Sequence, residues 1–317
     1  MSDPAVVVVG PGRMGVGIAQ ALAVAGLAVR LVDVKTRPVA ESEAALVGAR
    51  ARIASGLAQL AAVGFVAGDG ADELRRVEYV SVGGAEDALA AADVVFEAVP
   101  ETVEAKDSAY RRIGTCGALI GSTTSTFGVD DLAARVGDPS RFMNTHWLNP
   151  APVIPLVEVM PGTATAEASV VEMEALLRAV GKVPVRCAAS AGYIVPRIQA
   201  LAMNEAARIV EEGVADAEAV DLACRLGFGV RFATMGLLEF VDWGGADILL
   251  YASDYLEGAL GSDRFAAPAI VADKVRSGAL GLKTGAGFHD YGARDLDAYQ
   301  REQLRALVEL LAHLRRG

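Results

Sequence analysis

The sequence predicts an α/β chain: a doubly wound parallel sheet over residues 1–188, followed by an all-α unit over 189–317. Three observations carry this. The glycine run GPGRMG at 10–15 separates an apolar run from a helical stretch. Short β-branched runs alternate with helical stretches as far as residue 188. Beyond it the pattern is helical, punctuated by Gly and Pro, with no convincing strand.

AVVVVG (5–10) reads as a buried strand, because its apolar run is continuous, as in a parallel sheet covered on both faces. Residues 13–26 read as a helix ending at Gly26, and LAVRLVD (27–33) as the next strand. A long Ala-rich helix runs from Glu41 to about Ala62. Strands follow at VEYVSV (77–82), DVVFEAV (93–99) and ALIGSTTS (118–125). Two more flank NTHWLNPAPVIPLVEVM (144–160), and another fits VPVRCA (183–188). Repeated β-α-β order puts helices on both faces. The domain boundary is placed at 188–192, in CAASAG, and 296–316 reads as a final amphipathic helix.

Composition narrows the function classes. The 317 residues are 53% hydrophobic, enough for a sizeable core, and the mean hydropathy is +0.35. The net charge of −11 argues against binding a phosphate backbone, so no nucleic-acid partner is expected. Apolar runs are short, which argues against a membrane span. The opening MSDPAVVVVG has an acid where a leader would be basic, and a cytoplasmic protein is expected. Three scattered cysteines and three histidines suggest neither a disulfide framework nor a metal site.

In GPGRMG, Gly10 permits the tight turn, Gly12 lets a pyrophosphate approach the backbone, and Gly15 lets helix and sheet pack closely. Arg13 and Met14 complete the run at the helix N-terminus, where free N–H groups face the phosphates. Asp33 ends the second strand, 18 residues after Gly15. A carboxylate there accepts ribose hydroxyls and repels a 2′-phosphate, favouring NAD over NADP, with Arg37 nearby as a reservation. The motif alone leaves FAD and NAD both open.

His146 lies in NTHWLNP and Glu158 twelve residues later in LVEV. Adjacent strands would let the carboxylate fix the imidazole tautomer and raise its basicity, as a hydroxyl oxidation requires. The spacing fits a structural histidine beside an incidental acid equally well.

GPGRMG, EAVPE (97–101), STTST (122–126), HWLNP (146–150), LVEV (156–159), AGYIVPR (191–197) and KTGAGFHDY (283–291) together resemble the short-chain L-3-hydroxyacyl-CoA dehydrogenase family. The match covers essentially the whole chain. The resemblance implies an N-terminal Rossmann domain, a helical C-terminal domain that forms a homodimer, NAD as cofactor, and a place in fatty acid metabolism. It implies His146 as base, Glu158 as its partner, Ser125 at the reacting oxygen and Asn149 near the nicotinamide. It places Val99, Pro100, Glu101 and Lys106 on the cofactor. The substrate implied by default is a short 3-hydroxyacyl thioester such as 3-hydroxybutyryl-CoA.

Two departures stand out. Pro196 occupies a substrate-site position where the family has asparagine, and it has neither a side-chain donor nor an N–H. The stretch 53–65 lacks the lysines that bacterial 3-hydroxybutyryl-CoA members turn to the CoA phosphates; Arg50, Arg52, Arg75 and Arg76 are the nearby cations. RIVEEGV (208–214) and GFGVRFATMGLLE (227–239) are similar to the λ-crystallin and gulonate dehydrogenase branch, which oxidises small free 3-hydroxy acids. There Arg231 would pair with a substrate carboxylate. A gulonate- or carnitine-like acid is therefore the alternative substrate. A crystallin-like protein without catalysis is a further alternative, against which Ser125, His146 and Glu158 together speak.

Overall fold

In the computed structural model, which describes residues 3–114 and 116–314, the chain divides into two compact units after Leu201. The first unit holds β1 (Val6–Val9), α1 (Arg13–Val24), β2 (Val29–Val32), α2 (Val39–Ala62), α3 (Ala71–Arg75), β3 (Val77–Val80), α4 (Ala85–Ala90) and β4 (Val94–Glu97). It continues through α5 (Val103–Ile113), β5 (Leu119–Ser122), α6 (Val129–Ala133), β6 (Phe142–Trp147), β7 (Leu156–Pro161), α7 (Glu167–Ala179) and β8 (Val183–Arg186). Helix α8 (Val195–Glu211) begins in this unit.

The eight strands form one sheet in the order β3-β2-β1-β4-β5-β6-β7-β8. β1 shows why the run of valines is needed. Val6 and Val8 pack into one hydrophobic cluster, and Val7 and Val9 into another on the opposite face. Each face is closed by helices, so alternate residues are all apolar. Six strands run parallel, whereas β7 pairs antiparallel to β6 and β8 follows β7. The all-parallel expectation fails at this edge for a length reason. The connection 148–155 is too short for a crossover, which takes a dozen or more residues, so the chain must turn straight back.

That reversal sets the key register, in which His146 lies directly opposite Glu158. Paired residues on neighbouring strands project from the same face. The strand order changes direction between β1 and β4, and in such sheets ligands bind beyond the carboxyl ends at this switch point.

The second unit is helical: α9 (Ala217–Ala223), α10 (Val230–Thr234), α11 (Leu237–Gly244), α12 (Ala246–Leu260), α13 (Ala269–Arg276) and α14 (Leu296–Leu314). Residues 315 and 316 of the expected last helix lie outside the described residues. A π-turn, Cys224–Gly229, joins α9 to α10. The KTGAGFHDY segment wraps a buried acid. Asp242 accepts from the amides of Phe288 and His289 at 2.8 Å each and from the Tyr291 hydroxyl at 3.2 Å. A Cβ on Gly287 would overlap that carboxylate, which explains the glycine. Among the described residues no helix is long and apolar enough to cross a membrane.

Candidate active site

A cavity of about 880 Å3 opens at the switch point, lined by Gly10, Gly12, Asp33, Val99 and Pro100 among others. Gly10 has φ +104°, and a Cβ there would sit 2.7 Å from the Ala98 carbonyl oxygen. A Cβ on Gly15 would overlap the Gly10 carbonyl oxygen, so α1 can approach β1 only without one. A Cβ on Gly12 would meet only the Ala98 oxygen at 4.0 Å, which leaves room over the helix N-terminus for a ligand. Arg13 is exposed and Met14 half-buried in the first turn of α1, and buried Asp33 follows β2. These residues fit a dinucleotide: a free helix N-terminus for the pyrophosphate and an acid for the ribose.

The Nδ1 atom of His146 lies 2.7 Å from Oε2 of Glu158. Glu158 is fully buried, and His146 is 9% exposed. The second carboxylate oxygen, Oε1, accepts from the amides of Ile194 (2.8 Å) and Val195 (2.9 Å). These belong to the start of α8, where unpaired N–H groups and the positive end of the helix dipole favour a negative charge. The carboxylate thus faces hydrogen donors at both oxygens. Nδ1 takes the role of donor, which leaves the Nε2 lone pair for another proton.

Tyr193 stacks on the imidazole, with ring centroids 4.8 Å apart and planes 19° from parallel. Its hydroxyl donates to the Thr124 carbonyl oxygen at 2.7 Å, one residue before Ser125. Tyr193 holds a left-handed φ of +47° between Gly192 and α8, a conformation that side chains other than glycine adopt rarely. Burial pushes its phenol above the ordinary value, so it remains a donor.

Ser125 is exposed on the turn after β5. The turn is shaped by Glu101, whose Oε1 accepts from the Thr124 hydroxyl, the amides of Ser125 (2.9 Å) and Thr126 (3.1 Å), and the Thr126 hydroxyl (2.9 Å). Burial pushes the Glu101 carboxyl up. The Thr124 hydroxyl, the Lys106 ammonium and the other donors outweigh it and hold the group down at about 2. Lys106 itself is buried, with Nζ 2.9 Å from both oxygens of Glu97 and 3.2 Å from Glu101. Glu97 also accepts from Tyr110 and Ser122 at 2.7 Å each. Lys106 is therefore a buried tie behind the Ser125 turn, held by its two carboxylates.

Asn149 lies on the connection that leaves β6, and its Nδ2 is 3.1 Å from the Met14 sulfur at the glycine run. The Asn149–Pro150 peptide is cis. Lys182 clasps the rest of this loop through the carbonyls of Ala151 (2.6 Å), Pro152 (3.2 Å) and Ile154 (3.0 Å). The sequence reading overlooked Glu97, Tyr193, Lys182 and the two α8 amides. Glu97 left a trace, since an acid inside an apolar strand needs a buried cation. Tyr193 and the amides left none, because their contacts depend on a distant segment.

Comparison with known proteins places the chain in a family. Residues 5–190 match the family model for the 3-hydroxyacyl-CoA dehydrogenase NAD-binding domain, and residues 192–291 match that for its C-terminal domain. The chain belongs to the 3-hydroxyacyl-CoA dehydrogenase family. It is an NAD-dependent oxidoreductase acting on a CH–OH group.

The chain is 33% identical to a probable 3-hydroxybutyryl-CoA dehydrogenase of Bacillus subtilis, over 90% of this chain and 96% of that one. It is 32% identical to the 5-formyl-3-hydroxy-2-methylpyridine 4-carboxylate 5-dehydrogenase of Mesorhizobium japonicum, over 96% of each chain. The crystal structure of a 3-hydroxyacyl-CoA dehydrogenase from Archaeoglobus fulgidus is similar with a TM-score of 0.76, 33% identity and 98% of each chain covered.

Within this family the departures acquire definite positions. Pro196 is the second residue of α8, where the N–H that proline lacks would have no helical partner. Arg52 donates to the Pro11 carbonyl at 2.7 Å, on the cofactor cavity. Arg75 pairs with Asp72 and Arg76 with Glu73, both within α3 and its cap. In the helical unit Arg231 donates to the Gly227 carbonyl at 2.6 Å and lies over the Phe240 ring at 4.9 Å. Trp147 is 3% exposed and packs edge-on against Phe96 in the core.

Proposed function

We propose that the chain interconverts a short-chain L-3-hydroxyacyl-CoA and its 3-oxo form, with His146 as general base and Glu158 as its charged partner. The 2.7 Å Nδ1–Oε2 contact, with the far carboxylate oxygen held by two amides, carries this reading. In oxidation Nε2 of His146 takes the substrate hydroxyl proton, and the buried Glu158 carboxylate stabilises the imidazolium that results. The Ser125 hydroxyl donates to the reacting oxygen from its Glu101-shaped turn, and Asn149 supports the site from the β6 loop. NAD, held by Gly10, Gly12, Arg13, Met14, Gly15, Asp33, Val99, Pro100 and Glu101, supplies the hydride acceptor.

A free hydroxy acid is the second reading, and two observations favour it. Three of the four nearby cations, Arg52, Arg75 and Arg76, are committed to other partners, and only exposed Arg50 is left for a phosphate handle. The Mesorhizobium relative, named for a pyridine carboxylate, covers more of this chain than the Bacillus one. On that reading Arg231 is the residue to pair with the carboxylate, through guanidinium donors other than the Nε that the Gly227 carbonyl holds. We also propose a homodimer through the helical unit, where Ile248, Tyr251 and Tyr255 are 58%, 74% and 65% exposed on one side of α12.

The test follows absorbance of the reduced nicotinamide with purified protein, NAD and 3-hydroxybutyryl-CoA. Turnover that His146→Gln abolishes supports the first reading. Silence with that thioester and with acetoacetyl-CoA, but turnover of a free hydroxy acid, moves the assignment to the second. Unchanged turnover in His146→Gln refutes the base in either case.

A further inference from the structure

The acid that should exclude a 2′-phosphate is not alone. Oδ2 of Asp33 accepts from Nε of Arg37 at 2.7 Å and from the Ser42 hydroxyl at 2.6 Å. Nη2 of Arg37 lies 2.6 Å from the same oxygen. Oδ1 accepts from the Lys35 amide at 3.1 Å. The Ser42 hydroxyl oxygen in turn accepts from the Val82 amide at 3.0 Å, so this bond network is tied to the end of β3. Asp33 and Arg37 both line the cofactor cavity, together with Lys35 and Arg52.

Two physical points follow. A lone aspartate rejects a 2′-phosphate because two anions would meet at short range. Here a guanidinium four residues on neutralises that carboxylate, so the repulsion is largely cancelled. A guanidinium also carries five N–H donors, and Asp33 engages only Nε and Nη2. The remaining donors suit a phosphate monoester, which guanidinium binds in paired, charge-assisted contacts. The Arg37 side chain is 19% exposed and lines the cavity.

We infer that Arg37 is a second cofactor-specificity residue, which makes NADP(H) a weaker but real ligand of the cleft that otherwise takes NAD. Asp33 holds the guanidinium and limits its use, while Arg37 supplies the contacts that a 2′-phosphate needs. The inference rests on the glycine-run cavity and is independent of the His146–Glu158 chemistry.

The experiment titrates NADH and NADPH into the full chain and reads nicotinamide fluorescence, so no turnover is needed. In wild type NADPH binds measurably and more weakly than NADH. Arg37→Gln lowers the NADPH-to-NADH affinity ratio by about tenfold to a hundredfold, the range for losing a charge-assisted contact. Asp33→Ser raises the ratio, and adding Arg37→Gln to it removes at least about tenfold of that gain. The inference is overturned if the ratio is the same with and without Arg37. The Arg37→Gln single variant keeps the Asp33–Ser42 bond and decides the matter even where Asp33→Ser does not fold.

Discussion

Replacing Glu158 by glutamine tests the catalytic geometry most sharply. The new amide is nearly isosteric, so the question is which way it points. The amides of Ile194 and Val195 both donate toward Oε1, at 2.8 and 2.9 Å. Only the glutamine oxygen can accept them; an NH2 group there would set donor against donor. The NH2 is therefore forced toward His146 Nδ1, where the carboxylate oxygen lay at 2.7 Å. Nδ1 must then accept, the ring proton moves to Nε2, and the atom that should take the hydroxyl proton already carries one. An analogous carboxylate-to-amide change behind a catalytic histidine lowers kcat by about 10⁴ by enforcing the wrong tautomer. A loss of about 10³ to 10⁴ in kcat is expected here on the same grounds, with NADH affinity kept because Glu158 is fully buried behind the imidazole. Stability should fall by only about 1–3 kcal/mol, since all three hydrogen bonds find a partner. Stopped-flow turnover, NADH titration and urea unfolding measure the three quantities. A variant that keeps more than about a tenth of the wild-type kcat would show that the tautomer argument is wrong.

Two further outcomes are expected. Gly15→Ala places a methyl group into the Gly10 carbonyl, a backbone neighbour that cannot rotate away; a stability loss of about 3 kcal/mol in urea unfolding and loss of NADH binding are expected, and normal NADH affinity would refute the close-packing role. Glu101→Gln removes a carboxyl held at about 2 in the fold against 4.5 unperturbed. A depressed group stabilises the fold above its unfolded value and loses that contribution as pH falls, so wild type should lead the variant at pH 7 and the gap should close between about 4.5 and 2. Chemical denaturation at a series of pH values checks this, and a gap that persists unchanged to pH 2 counts against the Glu101 network.

Much of the architecture was legible in the residues because it depends on local pattern. The all-valine run of β1, the glycines at 10, 12 and 15 and the acid at 33 each answer to a nearby steric or electrostatic demand. So did the change from strand-helix alternation to helix alone. His146 and Glu158 could be named, and the family resemblance paired them, but their spacing did not, because 12 residues do not specify whether the second strand turns back beside the first. Folding decided that through the short 148–155 connection, which forces β7 antiparallel and sets the two side chains opposite. Lys106 illustrates the reverse case. The resemblance put it on the cofactor, yet the fold buries it between Glu97 and Glu101. The Tyr193 ring over His146 and the α8 amides on Glu158 come from a segment more than 30 residues further along the chain. Local preferences act over a few residues, whereas such contacts exist only once the sheet has brought distant segments to the same place.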